Sequence, residues 1–369
     1  MEIKIDRDIF LTGVHKVQGI VESKGAMPIL SHCLITTEKD GIYLQATDLE
    51  IGVKGFYPAK IVKQGAMTLN ARKLFDILRE LPDAEIHLKK EDNDWVVLKC
   101  GKSQFRLPGL SAGDFPKLPE YSEETLLEFK GEDLKEMIRK TFFAVSPDES
   151  RQVLNGLLLE TENGLVILVG TDGHRLALIK RTPSKINAPA DQKLSILLPK
   201  KMLAELMKFL EGEDATYAFS VKDNHLAFIH GKEVIVSRKI DGKFPNFRQV
   251  IPTDNEVKVP VNKDALMHAL KRVSLLADEK SKMVKFEFRS GSLTLVSDTT
   301  ELGTANEELE ISYKGDEVFI GLNARYVLDV LNAVEDEEII LNLKDENHSC
   351  LITVNNDENY LSIVMPMRL

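Results

Sequence analysis

Cysteine is scarce. Cys33, Cys100 and Cys350 lie far apart and form neither a CxxC pair nor any other metal-ligating spacing. Such an odd, scattered set fits a reducing compartment, with each thiol serving as a small buried hydrophobe. No apolar run approaches the roughly 20 residues that cross a bilayer. The opening "MEIKIDRDIF" is charged from its second residue and lacks the apolar core of a secretory signal. These absences predict a cytoplasmic chain without a membrane partner. Positive charge is short as well: a net charge of -10 excludes a protein that coats nucleic acid over its whole surface, yet leaves room for one basic face. Catalytic signatures are missing too. The chain has no G-x-S-x-G elbow, no H-E-x-x-H and no glycine-rich phosphate loop ahead of a helix, and its eight histidines form no metal-spaced cluster. No catalytic residue, cofactor or metal site is therefore expected.

What is present is a long repeat. The 369 residues, 43% hydrophobic and 29% charged, suffice for two or three domains. Three segments read as amphipathic helices: "DIFLTGVHKVQGIV", "DLKEMIRKTFFAVS" and "DALMHALKRVSLLA". Their apolar stripes are Phe10, Val14, Val17 and Val21; Leu134, Ile138 and Val145, interrupted by Thr141; and Leu266, Leu270, Val273 and Ala277. A second helix follows in each copy, "LNARKLFDILREL", "LPKKMLAELMKFL" and "LNARYVLDVLNAV", with Asn70 and Asn323 as N-caps and Pro199 in the first turn of its helix. An acidic turn and an alternating strand come next: "AEIHLKK", "ATYAFSVK" and "EEIILNLK". Between the two helices recurs a [TS]-D pair, Thr47-Asp48, Thr171-Asp172 and Ser297-Asp298, about 125 residues apart. Phe115-Pro116 and Phe244-Pro245 mark the ends of the first two copies. The expected organisation is α+β, three similar domains at 1–125, 126–253 and 254–369.

Superposing the first helices on their stripes sets His15-Lys16, Arg139-Lys140 and Lys271-Arg272 at equivalent positions, opposite the core. In the second helices Arg72, Lys201 and Arg325 coincide, with Lys73, Lys200, Arg79 and Lys208 on the same side. A single charged helix face is ordinarily just solvated. Asp76, Glu205 and Asp329, four residues after the basic position, also stand ready to neutralise it. Recurrence in three copies of an acidic chain favours instead a basic stripe that meets a polyanion. With no stacking aromatics, recognition helix or zinc finger, the contact is with phosphates, independent of sequence and sensitive to salt.

The stretch "TDGHRLALIK", Thr171 to Lys180, brings Asp172, His174 and Arg175 together. Between the apolar runs "LVILV" and "LALI", Asp-Gly predicts a hairpin turn. Beside the reading that the whole-chain resemblance implies, two stay open on these residues: a monomeric DNA-binding scaffold, and a metal-dependent nuclease or hydrolase using Asp172 and His174.

The segments "TDGHRLA", "FPNFRQVIP", "LNARYVLDVLNA" and "VMPMRL", in this order, resemble the bacterial sliding clamp family, the beta subunit of DNA polymerase III, over essentially the whole chain. The resemblance implies three clamp domains per chain, each with helices packed on antiparallel sheet. Two chains would close head to tail as a homodimeric six-domain ring around duplex DNA. It further implies a groove for short peptides of the polymerase III alpha subunit, the clamp loader, other polymerases and repair proteins. That groove maps onto Leu154, Thr171, Gly173, His174, Arg175, Leu176, Pro245, Val250, Asn323, Tyr326, Ile363, Val364, Met365, Pro366, Met367, Arg368 and Leu369. DNA contacts map onto Lys24, Arg72, Lys73, Arg139, Lys140, Lys200 and Lys201. In the loop "SPDESRQV", Asp148 and Glu149 depart from the family's basic pattern and leave Arg151 as the contact. Gln249 stands where the family commonly has Arg. The ring joint maps onto Phe105, Arg106 and Leu107, meeting Leu275, Leu276 and Glu301 of a second chain.

Overall fold

Four of the six helices start where a side chain holds free N–H groups of the first turn. The computed structural model describes residues 1–21, 27–187, 193–210, 212, 215–300 and 302–368, so Lys24, Glu301 and Leu369 lie outside the described residues. It contains α1 (Arg7–Gln18), α2 (Ala71–Glu80), α3 (Gly131–Phe142), α4 (Lys200–Phe209), α5 (Lys263–Val273) and α6 (Ala324–Ala333), two per repeat. Asn70 accepts from the Lys73 N–H at 3.0 Å, and Asn323 accepts from Arg325 and Tyr326 at 3.0 and 3.3 Å. Asp6 and Asn262 cap α1 and α5 in the same way. Pro199 ends the strand Ser195–Pro199 and directly precedes α4, one position earlier than expected. The predicted stripes Phe10, Val14, Val17, Leu134, Ile138, Leu266, Leu270 and Val273 are all buried. Thr141, the polar interruption, is buried with its hydroxyl donated to the Met137 carbonyl at 2.7 Å.

Two compact units divide the chain, and the division cuts through the second repeat. One holds Met1–Leu134, Pro183–Pro189 and Lys201–Lys239; the other holds Lys135–Thr182, Ala190–Lys200 and Ile240–Leu369. Strand pairing explains why. In the first unit, Glu233–Arg238 of the second repeat pairs with Ile51–Pro58 of the first, inside a nine-stranded antiparallel sheet. In the second unit, Tyr360–Val364 of the third repeat pairs with Arg175–Arg181 of the second, inside an eight-stranded sheet. Backbone ladders thus cross both repeat boundaries. A five-stranded sheet completes the first unit, with Ser103–Leu107 at one edge, and a four-stranded sheet completes the second, with Gly303–Glu310 at one edge.

Hairpin register corrects one alignment made from the sequence. The hairpins close at Glu38↔Gly41, Glu162↔Leu165 and Arg289↔Ser292. Counting from them, Thr47 and Thr171 correspond to Asp298, and Ser297 corresponds to the core-facing Ala46 and Gly170. The [TS]-D pair of the third repeat is therefore one residue out of phase with the other two. The Ser297 hydroxyl is buried without a hydrogen-bond partner.

A second correction concerns the basic stripe. Lys16 and Lys140 are each only 5% exposed, so neither lies on an open helix face. The repeat that follows covers them. Lys16 pairs with Glu233 at 3.1 Å and lies over the Phe209 ring, whereas Lys140 pairs with Asp357 at 3.1 Å and Glu136 at 2.8 Å and lies over the Tyr360 ring. On α1 and α3, part of the face opposite the helix's own core is thus packed against a neighbour, which periodicity within one segment cannot reveal.

Candidate docking site

The turn in "TDGHRLALIK" is built by its own side chains. The Asp172 carboxylate accepts from the His174 and Arg175 N–H groups at 2.9 and 3.1 Å, and Thr171 donates its hydroxyl to the Arg175 carbonyl at 2.6 Å. Gly173, at φ +91°, takes the position that disfavours a side chain. The first repeat makes the same turn: Asp48 accepts from Glu50 and Ile51, and Thr47 donates to the Ile51 carbonyl. There, Leu49 holds φ +79° in place of the glycine.

Arg175 does not project into solvent. Its guanidinium is buried, donating to Asp172 at 3.0 Å and Asp329 at 2.5 Å, and it lies 4.4 Å from the centre of the Tyr326 ring and 5.6 Å from that of Phe143. Burial, then the nearby Asp172 charge, raises the Tyr326 phenol above its ordinary pKa. Thr171 is buried, and the His174 side chain is exposed.

Two adjoining surfaces meet at this turn. One is apolar: Leu154, Leu176 and Ile363 share a buried cluster with Leu158, Val169, Phe244 and Phe247, edged by Val153, Ile240 and Ile251. Pro245, Val250 and Met365 stand exposed beside it. The other is a cleft of about 470 Å³ lined by Phe142, Phe143, Val145, Pro147, Arg151, Asp172, His174, Arg175, Lys200, Arg325, Tyr326 and Asp329. The segment 364–368 is pinned by two backbone hydrogen bonds. The Met365 N–H donates to the His174 carbonyl at 2.9 Å, and the Met367 N–H donates to the Gly321 carbonyl at 2.8 Å. Val364 is buried, Pro366 and Met367 are half-buried, and Arg368 is exposed. Asn323, the α6 cap, holds the start of the helix that carries Tyr326. Phe143, Pro147 and Asp329 were not among the expected groove residues. Asp329 drew notice only as a neutraliser of Arg325, and its pairing with Arg175 depends on packing.

The candidate phosphate contacts fall into distinct environments. Arg72 and Lys73 are exposed on α2, with the Asp76 carboxylate 4.0 Å from Lys73. Lys201 is exposed and reaches Asp48; Lys200 is half-buried. Arg139 pairs with Glu335. Arg151 donates to the Asp172 carbonyl at 2.9 Å and pairs with Asp148 at 3.3 Å. Lys140 is enclosed, as above. Two of the three expected neutralisers are engaged elsewhere as well: Glu205 holds Lys208, and Asp329 holds Arg175. Of the joint candidates, Phe105, Arg106 and Leu107 form the free edge strand, with Arg106 stacked 4.2 Å over Trp95 and bonded to Glu91 at 2.9 Å. Leu275 is 77% exposed just beyond α5, and Leu276 is half-buried.

Among the described residues, three carboxylates alone, the exposed Asp6, Asp8 and Asp83, cluster closely enough to share a metal ion; they belong to the first unit, whereas Asp172 and His174 belong to the second. Asp172 is spent on a turn and an internal ion pair.

Comparison with known proteins identifies the scaffold. Three domain families match in order: the DNA polymerase III beta subunit N-terminal domain over residues 1–119, its central domain over 128–246 and its C-terminal domain over 248–368. A beta sliding clamp of Chlamydia muridarum is 33% identical, covering 100% of this chain and 99% of its own. One of Caulobacter vibrioides is 34% identical, covering 100% of both. A Pseudomonas aeruginosa sliding clamp solved with bound griselimycin superposes with a TM-score of 0.93 at 32% identity over the full length of both chains. A Bacillus subtilis clamp gives 0.92 at 29% identity, over 100% of this chain and 99% of that one. The chain belongs to the DNA polymerase III beta subunit family, the bacterial sliding clamps. Its three clamp domains are those of a processivity factor, not an enzyme.

Proposed function

We propose that two copies of this chain close head to tail around duplex DNA and tether the replicative polymerase, the surface beside the Asp172–His174 turn docking short peptides of its partners. The reading rests above all on an unfinished pairing pattern. Within the chain, Ile51–Pro58 and Arg175–Arg181 each pair with the last strand of the following repeat. Gly303–Glu310 holds the same place in the third repeat and is an edge, and Ser103–Leu107, the last strand of the first repeat, is an edge too. A second copy satisfies both. Open edges invite another strand, and the acidic Glu307, Glu308 and Glu310 suit a strand flanked by Lys102 and carrying Arg106. Phe105, Leu107, Leu275 and Leu276 supply apolar contact at this joint, with Glu301 an additional acid.

Repeat boundaries at 125 and 253 fit this scheme, as does residence in the cytoplasm. Phosphates are met by Arg72, Lys73, Lys200, Lys201, Arg139 and Arg151, with Lys24 in addition. Such contacts are weak and independent of sequence, as sliding requires. Lys140 drops out of the set, because its ammonium is consumed inside the second unit.

In the groove, Leu154, Leu176, Val250, Ile363 and Met365 receive apolar side chains. Methionine at the rim accommodates different partners: the polymerase III alpha subunit, the clamp loader, other polymerases and repair proteins. Truncation before Met365 tests the placement. It removes the strand held by the His174 and Gly321 carbonyls, so a fluorescent peptide from a polymerase tail is expected to lose at least tenfold in affinity while sedimentation still reports a dimer. Unchanged peptide binding would show that the groove lies elsewhere.

A further inference from the structure

The apolar docking surface, where the second and third repeats join, has a counterpart inside the first unit, where the first and second repeats join. Hairpin register fixes the equivalence. Gly52, paired with Thr47, holds the place of Leu176, paired with Thr171. Across the junction Gly52 faces Val236 as Leu176 faces Ile363. Leu30 and Leu154 each lie four residues ahead of the equivalent strand residues Leu34 and Leu158. Each also shares a cluster with the phenylalanine of a Phe-Pro pair, Phe115 or Phe244. Counting on from those pairs, Leu118 matches Phe247 and Tyr121 matches Val250. The docking residues Leu154, Leu176, Val250 and Ile363 thus correspond to Leu30, Gly52, Tyr121 and Val236.

The two junctions differ in what covers the sheet. At the second, Val250 stands 45% exposed beside the apolar cluster. At the first, the connector between repeats lies on the strands, with Leu118 and Tyr121 packed on the cluster of Ala227, Val234 and Val236. Gly52 admits it, because a Cβ there would collide with the Leu118 side chain, whereas the docking surface has the whole of Leu176. The connector is tied at Pro116, whose carbonyl accepts from Gln45 Nε2 at 3.4 Å, and at Ser122, whose carbonyl accepts from the Ser220 hydroxyl at 2.6 Å. Between these ties Glu120 meets Lys222 at 2.7 Å. Beside Tyr121 a cleft of about 390 Å³ stays open, lined in part by Tyr43, Lys54, Ile229 and Lys232, so the surface is larger than its occupant.

We propose that the first junction is a second docking groove, for short apolar peptides that carry an acidic residue, and that residues 117–121 of the chain itself keep it filled. The occupant displays the chemistry the surface accepts: a leucine over Gly52, a carboxylate on Lys222 and a tyrosine on the apolar cluster. A tethered segment meets its site at an effective concentration of roughly millimolar, so a free peptide at micromolar concentration does not displace it. Each chain then offers partners one groove and not two. This rests on reading the second junction as the peptide groove, and localising the bound peptide keeps the two claims apart.

Emptying the groove tests the idea. The probe is a synthetic peptide of residues 116–126 bearing a photo-crosslinker, added to the full-length protein with Leu118→Gly and Tyr121→Gly. It is expected to bind about tenfold or more tightly than to the unmodified protein, and to crosslink to Ile51–Pro58 and Glu233–Arg238. A control peptide with glycine in place of its leucine and tyrosine is expected to lose that gain. Thermal unfolding reports whether the double variant is folded. Leu118→Ala alone, a smaller change at a half-buried position, is expected to give a lesser gain at the same strands and decides the matter if the double variant is not. Binding no tighter than to the unmodified protein, equal binding of the control peptide, or crosslinks confined to Arg175–Arg181 and Tyr360–Val364 would each overturn the proposal and leave the second junction's groove standing. A polymerase-tail peptide that crosslinks away from Arg175–Arg181 and Tyr360–Val364 would instead overturn the reading of that groove, and the equivalence drawn from it.

Discussion

Leu49 and Gly173 occupy the same corner of the same turn in two repeats, and the comparison isolates a backbone cost. A leucine at φ +79° sets its Cβ against the carbonyl that a left-handed backbone brings near. Its side chain is 51% exposed and recovers little by burial. Leu49→Gly is therefore expected to raise stability by roughly 1 kcal/mol, and Gly173→Ala to lower it by roughly 1 kcal/mol, in denaturant unfolding. A loss of stability in Leu49→Gly would mean that the leucine makes contacts worth more than the strain. The turn was legible in "TDGHRLALIK", because Asp-Gly chemistry is local. The fate of Arg175 was not. Its partners Asp329, Tyr326 and Phe143 lie far away in sequence, and the burial that turns a polar edge into an internal pillar arises from that convergence.

Helix faces show where periodicity succeeds and where it stops. A stripe such as Phe10, Val14 and Val17 locates the side facing a helix's own sheet. The opposite side can meet water, DNA or a neighbouring repeat, and the pattern is the same in each case. Lys140 illustrates the third outcome and Arg72 an open face. Lys140→Glu is expected to cost about 3 kcal/mol or more, because it places a carboxylate among Glu136 and Asp357. Arg72→Glu with Lys73→Glu is expected to leave the unfolding midpoint within experimental scatter while weakening DNA retention and flattening its salt dependence. If Lys140→Glu unfolds no more easily than the α2 pair, the enclosed network has been misjudged.

The same network carries a pH signature. Burial pushes the Glu136 and Asp357 carboxyls up, but hydrogen bonds from Lys140 and Arg181 outweigh it, and both end below their ordinary values of 4.5 and 3.8. Depressed carboxylates stabilise the fold above their unfolded pKa values, and that stability is lost as pH falls through the lowered folded ones. Unfolding followed from pH 7 downward is expected to lose stability beginning near the ordinary carboxylate range. An Asp357→Asn variant should show a shallower loss over that window, and an equal slope in both would remove this pair from the account.

At the scale of the whole chain, the threefold repeat was readable because helix, turn and strand recur in order over about 125 residues. Two things were hidden from it. The sheets run through the repeat boundaries, so the compact units cut across the second repeat. The phase of the third [TS]-D pair is fixed by hairpin register, which residue identity at Ser297 and Asp298 misrepresents. Both are matters of pairing between distant strands. Pairing also provides the argument for closure, since the strands Ser103–Leu107 and Gly303–Glu310 are edges where their counterparts are joined. A closed ring holds DNA by topology and not by affinity, and that difference is directly measurable. After loading onto nicked circular duplex DNA, the protein should remain bound through gel filtration at moderate salt and be released when a single cut makes the circle linear. Equal retention on circular and linear DNA would contradict the account.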